Sequence, residues 1–153
     1  MSVFAPLVIR ICLVVIFPFS ALDKIFNWEG ALKQANGGAL PGGPKLLLAA
    51  ILVETVCSIL VVAGILDRAA AALLAAYCLV TAVFYHQFWA YGDFFAKGKS
   101  EGRTHFWDFL KNFGLVGGLG LIVLGAPLAA VEYVATHPLS STAAYQGPAP
   151  DPE

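Results

Sequence analysis

Charge is what this 153-residue sequence has least of. Asp, Glu, Lys and Arg together make up 12% of it, about half of the roughly 25% usual in soluble domains. Nine basic and ten acidic side chains cannot coat a water-exposed surface of this size. A cytosolic enzyme and a disordered chain are thereby excluded. The formal net charge of −1 offers no basic stripe, so a nucleic-acid partner is not expected. Cysteine is scarce as well. Cys12, Cys57 and Cys78 form no CxxC and have no ligand at metal spacing, so neither a disulfide scaffold nor a metal site is expected. Each reads as a small hydrophobe inside an apolar stretch. No GxGxxG, P-loop, Ser-His-Asp pattern or HExxH is present.

What is present is apolar. Hydrophobic residues make up 59%, and mean hydropathy is +0.77. A helix needs about 20 residues to cross a hydrocarbon core about 30 Å thick. Four stretches meet this length, at about 3–22, 46–66, 69–91 and 106–124. None alternates with period 2, so barrel strands are excluded and the spans are helical. The expected fold is all-α: a four-helix transmembrane bundle, up-down-up-down, over residues 1–136. The tail, 137–153, holds four of the nine prolines and reads as disordered. The first span is not a signal peptide, because its only positive residue, Arg10, sits inside the apolar run. Pro18 is expected to bend it near its far end. Residues 31–35 could form a short interfacial helix before the glycines and prolines of 37–44. Asp67–Arg68 reads as a tight turn, and 92–105 as a loop.

Seven of the nine Lys and Arg residues (Lys24, Lys33, Lys45, Lys97, Lys99, Arg103 and Lys111) fall on the face that carries the two long loops. Arg10 and Arg68 fall on the other. The positive-inside rule places the long loops in the cytoplasm and both termini outside. Trp28, Trp89 and Trp107 mark the cytoplasmic boundary.

Ionisable groups inside spans are costly and face the bundle interior or a cavity. Glu54 lies roughly 18 Å from the 67–68 turn and Arg10 roughly 10 Å from the same face. An Arg10–Glu54 ion pair is expected, either as a structural clasp or as a site that binds an anion or relays a proton. A second group gathers toward the loops: Lys24, His86, Lys111 and Asn112, with Asp23 and Asp108 as counter-charges and Trp107 in the aromatic ring above. It could hold an anionic or quinone-like head group, or its lysines could simply snorkel. A haem reading of His86 lacks a second intramembrane histidine, His105 being placed in the loop. Gly114 and Gly118 have GxxxG spacing, for packing within the bundle or for a homodimer.

The sequence carries Arg10 early in span one and Ser20-Ala-Leu-Asp-Lys24 at its end. A Gly/Pro loop follows, then Glu54, Gly64, Arg68, Thr81-Ala-Val-Phe-Tyr-His86 and Phe109-Leu-Lys-Asn-Phe-Gly-Leu-Val-Gly-Gly118. This pattern resembles the DoxX family of small four-helix bacterial membrane proteins, over about residues 7–125. The Lys-Asn pair followed by paired glycines is its most specific piece. Ser20 stands where members often have Gly, and the Pro-rich tail falls outside the pattern. The resemblance implies a bacterial inner-membrane protein accessory to a quinone-linked redox system. It also implies a soluble sulfurtransferase or oxidoreductase as partner. Quinone is then the expected ligand, and the chain is read as a partner-dependent subunit rather than an enzyme in its own right. A small-solute transporter or channel, and a non-catalytic scaffold, are the alternatives.

Overall fold

The first apolar stretch carries a proline inside it, and the proline decides its shape. In a computed structural model, which describes residues 4–37 and 42–124, this stretch forms α1 (Phe4–Val14) and α2 (Ile16–Phe26). Pro18 has no N–H to offer the Val14 carbonyl four residues back, and its ring crowds that carbonyl. The helix is interrupted at Val15, three residues before the proline. Val15 itself keeps helical angles, so the two pieces run on as one span, Phe4–Phe26. The short helix expected at 31–35 is longer, α3 (Trp28–Gly37). After it come α4 (Gly43–Ala63), α5 (Asp67–Tyr85), a 3₁₀ turn (Phe88–Ala90) and α6 (Glu101–Leu124).

Four helices are long and apolar enough to cross a membrane: Phe4–Phe26, Gly43–Ala63, Asp67–Ala90 and Glu101–Leu124. No strand occurs among the described residues. The protein is a four-helix transmembrane bundle. The expected disordered tail, 137–153, lies outside the described residues.

Two connections differ from expectation. The tight turn is Gly64–Leu66, and Asp67–Arg68 open α5 instead. Gly64 takes φ +71°, the left-handed conformation that ends a helix most cheaply without a Cβ. The Gly64 and Ile65 N–H groups both donate to the Leu60 carbonyl. On the opposite face, α6 starts at Glu101, five residues earlier than the apolar run does. The loop supplies its cap. The Asp93 carboxylate accepts the N–H groups of Glu101 (2.8 Å) and Gly102 (2.9 Å). The Ser100 hydroxyl accepts that of Arg103 (3.3 Å). The Arg103 guanidinium donates to the carbonyls of Ala96 and Gly98, closing the loop on itself. The Gly102 N–H, opposed by some desolvation and aided by Glu101 and Ser100, holds the Asp93 carboxyl below its ordinary value. A carboxylate at a helix N-terminus also meets the positive end of the dipole.

Packing follows the small residues. α5 lies along both α4 and α6, and α2 packs on α4. Ala70, Ala71, Leu74 and Cys78 of α5 meet Cys57 and Val61 of α4, Val14 and Phe17 of the first span, and Leu119 of α6. Lipid tails are as apolar as leucine, so close approach of backbones supplies the attraction that water exclusion would supply elsewhere. The buried Cys57 and Cys78 fill this core, whereas Cys12 is exposed. Gly118 packs against α1: a Cβ there would stand 2.6 Å from Leu13 Cδ1. Gly114 has nothing within 4 Å of such a position, so the two glycines serve different surfaces.

Candidate functional site

Above this core, toward the long loops, the helices part. A cavity of about 810 Å³ opens between α2, α3, α4, α5 and α6. Its walls are mostly apolar and small, with Phe17, Leu47, Ala50, Val53, Ala76 and Val80 among them. Its polar groups form two clusters.

The deeper cluster centres on Glu54, only 2% exposed. Glu54 Oε1 accepts hydrogen bonds from Tyr77 Oη (2.8 Å), Lys24 Nζ (2.9 Å) and Ser20 Oγ (3.0 Å), and Oε2 accepts from Lys24 Nζ (3.0 Å). Lys24 Nζ also donates to Ser20 Oγ at 2.5 Å. The carboxylate thus has a cation and two hydroxyl donors, which is what a buried charge requires. No buried side-chain polar atom among the described residues lacks a partner.

The expected Arg10–Glu54 pair does not form. Arg10 donates to the Val61 carbonyl (2.8 Å) and to Asp67 Oδ2 (2.6 Å). Glu54 lies seven residues, or about 10 Å, deeper along α4 than Val61, and Asp67 offers a nearer carboxylate. Lys24 takes the place assigned to arginine. Side chains tilt toward the N-terminus of their own helix. A lysine in the last turn of α2 therefore leans back into the bundle, where Ser20 and Glu54 receive it, instead of snorkelling outward. The Arg10–Asp67 contact ties the first span to the α4–α5 turn, away from the cavity.

The second cluster sits at the loop end of the same cavity. Thr81 Oγ1 lies 3.2 Å from Asn112 Oδ1, and Asn112 Nδ2 donates to the Asp108 carbonyl (2.9 Å). Lys111 Nζ donates to Asp108 Oδ1 (3.0 Å), and Asp108 Oδ2 lies 4.0 Å from His86 Nδ1. His105 is on α6, not in a loop, and its Nδ1 faces His86 Nδ1 at 3.4 Å. Tyr91 stacks on the His105 ring, centroids 4.7 Å apart.

Of the five residues expected to form a ligand site, Lys24, His86, Lys111 and Asn112 all line this cavity. Trp107 does not; it is 59% exposed. The helical period explains this. Asp108, Lys111, Asn112 and Leu115 share one face of α6, and Trp107 is turned about 100° away from it. No group of three or more His, Cys, Asp or Glu residues among the described residues could hold a metal ion.

Five participants were not singled out from the sequence as site residues: Ser20, Asp67, Tyr77, Thr81 and His105. Three carried a legible signal. Tyr77, Thr81 and Tyr85 recur every four residues on an otherwise Ala- and Leu-rich helix, a polar stripe leading back from His86. Ser20 stands four residues before Lys24.

Comparison with known proteins yields one finding. The family model described as DoxX matches residues 5–87, more than half of the chain. No curated protein and no solved structure matches.

Proposed function

The chain belongs to the DoxX family, and on that premise we propose that it is a membrane subunit of a quinone-linked redox system. In this reading the cavity takes the quinone head group, and a soluble sulfurtransferase or oxidoreductase partner completes the reaction. The long loops, with their lysines and arginines, face that partner in the cytoplasm of a bacterium, and the membrane is the inner one.

One observation carries the reading. The cavity joins hydrogen-bond donors to apolar walls inside the membrane-spanning region. Its volume, about 810 Å³, falls within the roughly 300–1,000 Å³ of small-molecule clefts. The donor set suits a ring with opposed carbonyl oxygens: Lys24 Nζ at the deep end, Asn112 Nδ2 and Lys111 Nζ at the loop end. The apolar walls suit a hydrocarbon tail. A quinone supplies two-electron, two-proton chemistry that no side chain of this protein can. The protein's own part is to orient the ring, exclude bulk water and hold protons on Tyr77, Lys24 and the histidines.

The test is purification in mild detergent, followed by solvent extraction and quinone analysis. The expected result is quinone recovered with the protein, and a rise in melting temperature when a short-tailed quinone is added. No recovered quinone together with no thermal shift would sink the reading. The Lys24–Glu54 pair, in reach of the cavity near the middle of the span, favours transport of a small solute as a second reading. Solute flux in proteoliposomes, abolished in Glu54→Gln, distinguishes it.

A further inference from the structure

The two ends of the bundle differ in wetness. Between Glu54 and the Arg10–Asp67 contact lies a plug of Val61, Ala71, Leu74 and Leu119, each with 0% exposure. Ser58, beside it, donates to the Glu54 carbonyl at 2.6 Å. No charged side chain among the described residues belongs to this layer. Toward the loops the reverse holds. From Tyr77 to His86 is nine residues, about 14 Å along α5. Thr81 and Asn112 stand between them on the wall of the cavity, whose polar groups and volume can hold water.

At the loop end stands the histidine pair. The ring centroids are 5.6 Å apart while the two Nδ1 atoms are 3.4 Å apart. That centroid separation is close to the largest that two imidazoles can have at such an N···N distance. The nitrogens therefore point at one another, one as donor and one as acceptor. His86 lines the cavity, and His105 lies behind it, under Tyr91. Histidine is the side chain whose ordinary titration range brackets neutral pH.

We propose that the His86–His105 pair is the proton access point of the Glu54 cluster, so that the cavity exchanges protons with the loop face and not with the turn face. The transfer balances without any other reagent. A proton taken from loop water at His105 Nε2 sends the Nδ1 proton across to His86. His86 then releases its Nε2 proton into the cavity. Both rings end neutral with the hydrogen bond reversed, and water-mediated exchange of each ring's proton between its two nitrogens restores the starting tautomers. The charged and titratable groups that face the pair are Asp108 and Lys111 of α6, Tyr91 of the loop and Tyr85 of α5. Asp23 and Lys24 of α2 and Glu54 of α4 share the cavity. The proposal gives the quinone site of the preceding section its proton supply, but its test contains no quinone, so either can fail alone.

The probe is dicyclohexylcarbodiimide, a membrane-soluble reagent that modifies carboxyl groups in their protonated form. The full-length protein is reconstituted in one orientation, with lumen and bath held at different pH, and the adduct on the Glu54 peptide is followed by mass spectrometry. The expected labelling rate rises as pH falls on the loop face and ignores the pH on the turn face. In His86→Gln and His105→Gln this sidedness is expected to fall by at least about tenfold. Three results would overturn the proposal: a rate that follows the turn face or both faces equally, no labelling under any gradient, or full sidedness retained in both variants. The measurement on the unmodified protein stands even where a variant fails to fold.

Discussion

Replacing Lys24 by Met tests the deep cluster most sharply. The substitution keeps the apolar stem and removes the ammonium group that contacts both oxygens of Glu54 (2.9 and 3.0 Å). Glu54 would be left 2% exposed with only Ser20 and Tyr77 as donors. Removing one partner of a buried pair costs about 3–5 kcal/mol. Lys24 is 20% exposed on its side chain, which places the expected loss near the lower end, about 3 kcal/mol. The reciprocal change, Glu54→Leu, should cost less, about 1–2 kcal/mol, because a freed lysine at the end of α2 can turn to the interface. Combining Lys24→Met with Glu54→Leu removes both charges together. Such replacements are often neutral, so the double variant should lie within about 1 kcal/mol of the parent. The implied coupling is at least about 3 kcal/mol. Reversible unfolding in mixed micelles measures all four proteins. A Lys24→Met loss below about 1 kcal/mol, or a double variant as unstable as the sum of the singles, would refute the reasoning.

Three further outcomes follow from other contacts. Arg10→Ala removes bonds to Val61 and Asp67 with both side chains about a quarter exposed; the expected cost is about 1–2 kcal/mol in the same assay, with no change in quinone binding. Gly118→Leu should drive α1 away from α6 at Leu13, costing about 1–3 kcal/mol, whereas Gly114→Leu should be close to neutral; equal effects would contradict the packing described. Asp93 has a lowered folded value, so its contribution is fully present above the unfolded carboxyl range (about 3.9) and is lost as pH falls through the lower folded value. Hydrogen exchange at the Glu101 and Gly102 amides should therefore lose protection below about pH 4, and Asp93→Ala should lose it at every pH.

Much of the fold is legible because lipid imposes a length and a composition on every span. Spans one and two are located to within four residues by where apolar residues stop. The start of α6 is not, since residues 101–105 are polar in sequence and helical only because Asp93 and Ser100, brought round by the loop, cap them. The turn was misplaced by three residues for a related reason. Asp67 and Arg68 look like a polar turn, but Gly64 is where the backbone reverses. In the site, cavity-lining Lys24, His86, Lys111 and Asn112 stood out because charge or amide inside a span has few explanations. The pairing did not stand out. Depth counted along helices puts Arg10 and Glu54 about 8 Å apart, within the reach of an arginine, but ion pairs are decided by a few ångströms and by the direction in which a side chain leaves its helix. Tyr77 and Thr81 were obscured because a tyrosine or threonine in a span has ordinary packing roles.

The plug below Glu54 also bears on the transport reading. A solute entering from the loops meets Leu74 and Val61 and stops, so flux would require the bundle to open there. A binding site reached from one side needs no such motion. The most direct measurement is a titration of the protein in lipid nanodiscs with a short-tailed quinone, read as bound quinone above that in protein-free discs. The expected result is saturable binding of one quinone per chain, weakened about tenfold in Asn112→Leu. Uptake that never saturates, and that matches protein-free discs, would contradict the proposed function.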